Sequence, residues 1–183
     1  MFIEPKLTAD EARVQLKKGK LHFFQSPKIL KASLVYLPCY QFHAEVETRP
    51  GEMVQEFFCV DAVYGDFAFL DLQVLNTTTI PQNNSQQAKF ILSLEKARKI
   101  AESAYSKHVL QLNLRRKTKA QIKSLIDGVP IFYPYWIGFF KKKSNLDFNV
   151  LDAISGQQQG VKMKPVFVKL LLNSQKTVNA VLG

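Results

Sequence analysis

Apolar residues at Leu94, Ala97, Ile100, Ala101, Ala104 and Tyr105 fall on one face at helical spacing and predict an amphipathic helix. The segment that opens it occurs twice. Leu92-Ser93-Leu94-Glu95-Lys96-Ala97-Arg98 matches Leu7-Thr8-Ala9-Asp10-Glu11-Ala12-Arg13. In the first copy Thr8 and Glu11 stand at capping-box spacing: the hydroxyl accepts from a free backbone N–H and the carboxylate reaches back. In the second, Ser93 can cap, but Lys96 replaces the reciprocal acid.

Further downstream the pattern changes to alternation, and this change is also repeated. Val35-Tyr36-Leu37-Pro38-Cys39-Tyr40 aligns with Ile131-Phe132-Tyr133-Pro134-Tyr135-Trp136 as an aromatic strand entry. A proline without an N–H belongs at a strand start, an edge or a bulge. Next, Val60-Asp61-Ala62-Val63-Tyr64-Gly65 matches Leu151-Asp152-Ala153-Ile154-Ser155-Gly156, a strand ending in an Asp/Gly turn. Arg49-Pro50-Gly51-Glu52 and Lys143-Ser144-Asn145 read as hairpin turns, and third strands are expected at 67–74 and 166–172.

Pro-to-Asp spacing is 23 in one copy and 18 in the other, as a shorter hairpin would give. The wider gap from helix to proline in the second copy places an insertion at Leu114–Ala120. The expected fold is therefore α+β: two repeated units, each a helix packed on a short antiparallel sheet of about three strands. The expected domains are 1–75, a polar linker at 76–91, and 92–183.

Charge separates the copies. Residues 1–85 carry 8 Lys+Arg against 10 Asp+Glu; residues 86–183 carry 17 against 5, or +12. A half this basic points to an anionic partner, or to a solubilising surface that complements the acidic half. The two cysteines, Cys39 and Cys59, do not make a disulfide framework. The first residues lack a charged segment followed by an apolar one, so no signal peptide is read, and no apolar run reaches bilayer length. The default expectation is a cytoplasmic protein, with an envelope-associated or extracytoplasmic setting open if a leader has been trimmed.

The order of helix, hairpin, Asp-Ala-x-[Ser/Thr]-Gly and final strand resembles the PepSY/YpeB-type module, a cystatin-like α+β unit. Leu151–Gly156 and Leu94–Ala97 carry the resemblance most closely; the first copy has Tyr64 where the family usually has Ser or Thr. It covers roughly residues 7–74 and 92–172. It implies a non-enzymatic role: inhibitory or chaperone-like segments of secreted peptidases, or regulatory modules near the cell envelope.

Three sets of side chains could carry function. Tyr36, Tyr40, Tyr133, Tyr135 and Trp136 offer a stacking or peptide-binding surface, or else fill the helix–sheet core. Alternation cannot put Tyr135 and Trp136 on one face, so one of them should face outward. Arg115, Arg116, Lys117, Lys119 and Lys123, with Lys141, Lys142 and Lys143, are candidate anion-binding residues. No phosphate loop or nucleic-acid motif accompanies them.

Cys39, His43, Cys59 and Asp61 share one side of a hairpin and form the one metal-like set, without the close cysteine pair of a structural zinc site. Cys39 and His43 are about 13 Å apart along a strand, too far for a nucleophile–base pair. His22 and His108 lie in helical segments without motif context. No catalytic set or cofactor is read.

The leading expectation is a non-catalytic protein- or peptide-interaction module. The alternatives are an anion-binding protein acting on nucleic acid or an anionic membrane, and a metalloprotein or enzyme built on the cysteine set. Self-association through exposed sheet edges is a further expected contact.

Overall fold

The computed structural model describes residues 1–17, 28–70, 75–142, 145–160 and 163–168. Among the described residues the elements in order are β1 (Phe2–Ile3), α1 (Ala9–Lys17), β2 (Ile29–Arg49), β3 (Glu52–Asp61), β4 (Phe67–Phe69), β5 (Thr77–Thr78), β6 (Gln86–Gln87), α2 (Leu94–Arg116), β7 (Gln121–Lys142) and β8 (Asn145–Asp152), followed by a short helical segment at 164–168. The strands form one eight-stranded mixed sheet with the path β4-β3-β2-β7-β1-β5; β6 adds to β2 and β8 to β7.

This corrects the expected fold of two sequential units, each with its own small antiparallel sheet. The difference lies in β2 and β7, which run for 21 and 22 residues. Each was expected to begin near its proline. Pro38 and Pro134 instead sit well inside the strands, and their carbonyls accept the N–H groups of Ala62 (2.8 Å) and Ala153 (3.2 Å). The short strands β1 and β6 add parallel pairs, Phe2 beside Phe132 and Val35 beside Gln86.

Two compact units are interleaved in sequence. The first takes Met1–Ile3, Leu37–Ile80 and Lys89–Tyr133; the second takes Glu4–Tyr36, Pro81–Ala88 and the chain from Pro134 on. Each thus combines the helix of one repeat with the hairpin of the other. The polar stretch 76–91 contributes β5 and β6 rather than a plain connection.

In the first unit α2, from the second repeat, lies on β2 and β3 of the first. Ala97, Ala101, Tyr105 and Val109 project at helical spacing onto Phe42, Ala44, Val46, Phe58 and Val60, all buried. The Tyr105 ring stacks on Phe58 at 4.7 Å. Over Phe42–Val46 burial alternates residue by residue, as a strand with one covered face requires. Ser93 caps the helix by accepting from Lys96 N.

In the second unit α1, from the first repeat, packs against β8 and the facing part of β7. Ala12 and Leu16 are fully buried, and Leu16 leaves room for no side chain at Gly138. Thr8 and Glu11 form the capping box expected of them, with Thr8 N donating to Glu11 at 2.9 Å. That bond holds the Glu11 carboxyl below its usual range.

The exchange is reciprocal down to single bonds. Ile91 and Leu92 donate to the Ala62 carbonyl; Lys6 and Leu7 donate to that of Ala153. Gly65 faces Ile100, and Gly156 faces Gln15. Both glycines have positive φ (87° and 70°) in turns closed by Asp61 and Asp152.

Of the expected third strands, β4 occupies 67–69 and 71–74 lie outside the described residues. The segment expected to begin a strand at 166 is helical at 164–168; Pro165, in its first turn, has the fixed φ that suits a helix start. Residues 169–172 lie outside the described residues. Leu114–Arg116, expected within an insertion, form the last turn of α2, and 117–120 connect it to β7.

Candidate functional site

The aromatic set is absorbed by packing. Tyr36 is 1% exposed, and Tyr133 and Trp136 are also buried. Tyr40 donates its hydroxyl to Leu92 O (3.1 Å) in the first unit; Trp136 donates Nε1–H to Leu7 O (3.0 Å) in the second. Tyr40 and Trp136 are equivalent in the repeat, as are Leu92 and Leu7. Each aromatic therefore pins the entry of the helix that the other repeat supplies. Tyr135, on the face opposite Trp136, is half-buried with its ring 5.2 Å from Phe167.

The cysteine set does gather on the side of the first-unit hairpin away from α2. Cys39 pairs with Asp61 and Gln41 with Cys59, while the His43 ring lies 5.6 Å from Phe57. Both thiols are free and buried. Hydrogen bonding to Cys59, followed by burial, pushes the Cys39 thiol well above its ordinary range, so it stays a protonated, weak nucleophile.

Asp61 is spent on the turn. Oδ1 accepts from Val63 N and Tyr64 N at 2.8 Å each, and Oδ2 from Asp66 N at 2.6 Å. Among the described residues no group of three or more His, Cys, Asp or Glu could hold a metal. Asp61→Asn keeps one acceptor but turns an amide N–H toward the Asp66 N–H. It should cost about 1–3 kcal/mol, read as a lower midpoint in urea unfolding; an unchanged midpoint would contradict this role for the carboxylate. His108 lies on α2 with its ring 4.5 Å from Phe69; His22 lies outside the described residues.

The basic residues fall in different places. Arg115, Arg116, Lys117, Lys119 and Lys123 belong to the first unit, Lys141 and Lys142 to the second, and Lys143 lies outside the described residues. The first group surrounds the C-terminal end of α2, where cations also complement the helix dipole. Lys117 takes a left-handed conformation as the helix C-cap, its N–H donating to Asn113 O.

Asn113 then organises the connection. Its Oδ1 accepts from Ala120 N (2.8 Å) and Thr118 Oγ1 (2.9 Å), and its Nδ2 donates to Ala120 O (2.9 Å). Lys123 pairs with Glu47, and together with the Gly51 N–H it holds the Glu47 carboxyl below its usual range. Arg115, Arg116, Lys117 and Lys119 are exposed and have no carboxylate within ion-pair distance among the described residues.

Two adjoining clefts open beside this loop. One, of about 380 Å³, lies between the β2–β3 hairpin and α2; its lining includes the apolar Val46, Val54, Val109 and Leu112 and the charged Arg49, Glu52, Glu56 and Arg116. The other, of about 420 Å³, is lined by Glu47, Arg49, Lys117 and Lys119. Thr48, Arg49 and Thr118 line both.

In the first cleft the Tyr105 hydroxyl donates to Glu56 Oε2 at 2.9 Å. Burial, reinforced by Glu56, pushes that phenol far up, and it remains a donor at every ordinary pH. Arg49, Thr48, Asn113 and Thr118 were not legible as site residues. A hairpin turn accounts for Arg49-Pro50-Gly51, and the role of Asn113 depends on a partner seven residues away. An Asn near a helix end is the one local signal the chain offers there.

Among the described residues no helix is long and apolar enough to cross a membrane. Compared with family models, curated proteins and solved structures, the chain matches none.

Proposed function

We propose that this is a non-catalytic binding protein that takes an anionic ligand at the basic end of α2. The carrying observation is the group Arg115, Arg116, Lys117 and Lys119: four exposed cations without ion pairs among the described residues, two in the last turn of α2 and two on the following loop fixed by Asn113, with Arg116, Lys117 and Lys119 lining two adjoining clefts. Cations that neutralise no neighbour are available to a ligand, and a fixed loop lowers the ordering cost of binding. The +12 charge of residues 86–183 supports the same reading. The resemblance to PepSY/YpeB-type modules, carried most closely by Leu151–Gly156 and Leu94–Ala97, is consistent with a role in binding rather than catalysis.

The test uses a single-stranded oligonucleotide as a generic polyanion. Affinity should fall with salt. Arg116→Gln, Lys117→Asn and Lys119→Gln together should flatten the log–log slope by about 2, at roughly 0.7 for each phosphate that is no longer neutralised. Asn is chosen at 117 because it tolerates the left-handed backbone there. An unchanged slope in the triple variant would remove the proposal.

A further inference from the structure

We propose that the anionic ligand is an acidic peptide that seats an aliphatic side chain in the cleft between the β2–β3 hairpin and α2. This rests on the anion-binding reading and adds the nature of the ligand. At about 380 Å³ the cleft lies in the size range of small-ligand pockets. Its lining includes Val54, 37% exposed, and the half-buried Leu112, so it offers surface an aliphatic group can cover.

The cleft's own acids are engaged. Glu56 accepts from Tyr105, and Glu52 lies 3.8 Å from the Arg49 guanidinium. Arg116 has no acid partner among the described residues, and the adjoining cleft adds Lys117 and Lys119. Apolar surface next to cations matches a chain in which carboxylates neighbour aliphatic side chains.

A nucleic acid fits this place less well. Base stacking needs open aromatic faces. Tyr105 is the one aromatic lining the cleft; it is 1% exposed, and its ring is stacked on Phe58.

The experiment measures fluorescence anisotropy with the full chain and three labelled probes: a ten-residue Glu-Leu peptide, a Glu-Ser peptide of equal charge, and the oligonucleotide. A fourth arm uses phosphatidylglycerol vesicles. Glu-Leu should bind about tenfold or more tighter than Glu-Ser, the ratio expected from burying one leucine. Leu112→Gln, and separately Val54→Thr, should remove that ratio while leaving Glu-Ser binding within about twofold. The two variants sit on different elements, and circular dichroism checks the folding of each.

Equal binding of the two peptides would overturn the aliphatic seat and leave the anion reading standing. Tighter binding of the oligonucleotide or the vesicles than of Glu-Leu, abolished in the triple basic variant, would overturn the peptide in favour of that ligand. Failure of every probe to bind would remove the anion reading itself.

Discussion

Phe58→Ala, a change in the first repeat, should loosen the helix of the second. Phe58 is fully buried on β3, with Tyr105 of α2 stacked on it at 4.7 Å and Phe42, Phe67 and Phe69 around it. Truncating a buried phenylalanine removes its transfer free energy and leaves a cavity, at about 3–5 kcal/mol. Such a loss is a large part of the stability of an ordinary domain. For a chain of this length it lowers the melting temperature by roughly 10 °C.

Location discriminates more sharply than magnitude. Hydrogen exchange should show amide protection falling over Ala97–Val109 of α2 more than over α1. The reason is the exchange of helices: the hairpin of the first repeat covers α2, while α1 lies on β7 and β8. Loss of protection in α1 with α2 unchanged would mean that each repeat covers its own helix, contrary to the packing described.

Gly128→Ala should disrupt the first unit by a different route. Gly128 lies within β7, where a Cβ would stand 2.1 Å from the Gln41 carbonyl oxygen and 2.6 Å from its carbon. Those atoms are backbone of β2, so no side-chain rotation relieves the clash. One strand must move away from the other, at about 3 kcal/mol or more.

Gly160→Ala is the matched control. Among the described residues nothing lies within 4 Å of its Cβ position, so the change should be neutral or stabilise by up to about 1 kcal/mol. Urea unfolding of both variants decides the point; equal midpoints would show that β2 and β7 do not approach so closely. A glycine inside a strand pattern marks a close approach in general terms. Only the pairing of the strands says that Gln41 is the neighbour.

The candidate site was partly legible. Arg115, Arg116, Lys117 and Lys119 stand out by charge alone. Their link to Arg49 and to an apolar cleft does not, because the hairpin that supplies Arg49, Val46 and Val54 lies far away in sequence. The aromatic set, open between a binding surface and core filling, was undecided for a related reason. The polar atoms of Tyr40 and Trp136 meet Leu92 and Leu7 of the other repeat, partners that neither repeat read alone supplies.

The local features were specified by the chain alone: the capping box of Thr8 and Glu11, the serine cap at Ser93, the Arg49–Glu52 hairpin, and the Asp-Ala-x-x-Gly turns with their left-handed glycines. Each depends on residues within a few positions of one another, where backbone sterics and short hydrogen bonds decide the outcome. The duplication is equally a property of the residue order.

Which helix covers which hairpin was settled at the tertiary level. Ala12 and Ala97 begin the same apolar pattern, so burial alone favours neither partner for either helix. The choice is made by long-range interactions: the Tyr105–Phe58 stack and the Ala62 and Ala153 carbonyls capped by backbone from the opposite repeat. The lengths of β2 and β7, 21 and 22 residues, do the rest, and the strands pair as one sheet of eight rather than the two small sheets expected.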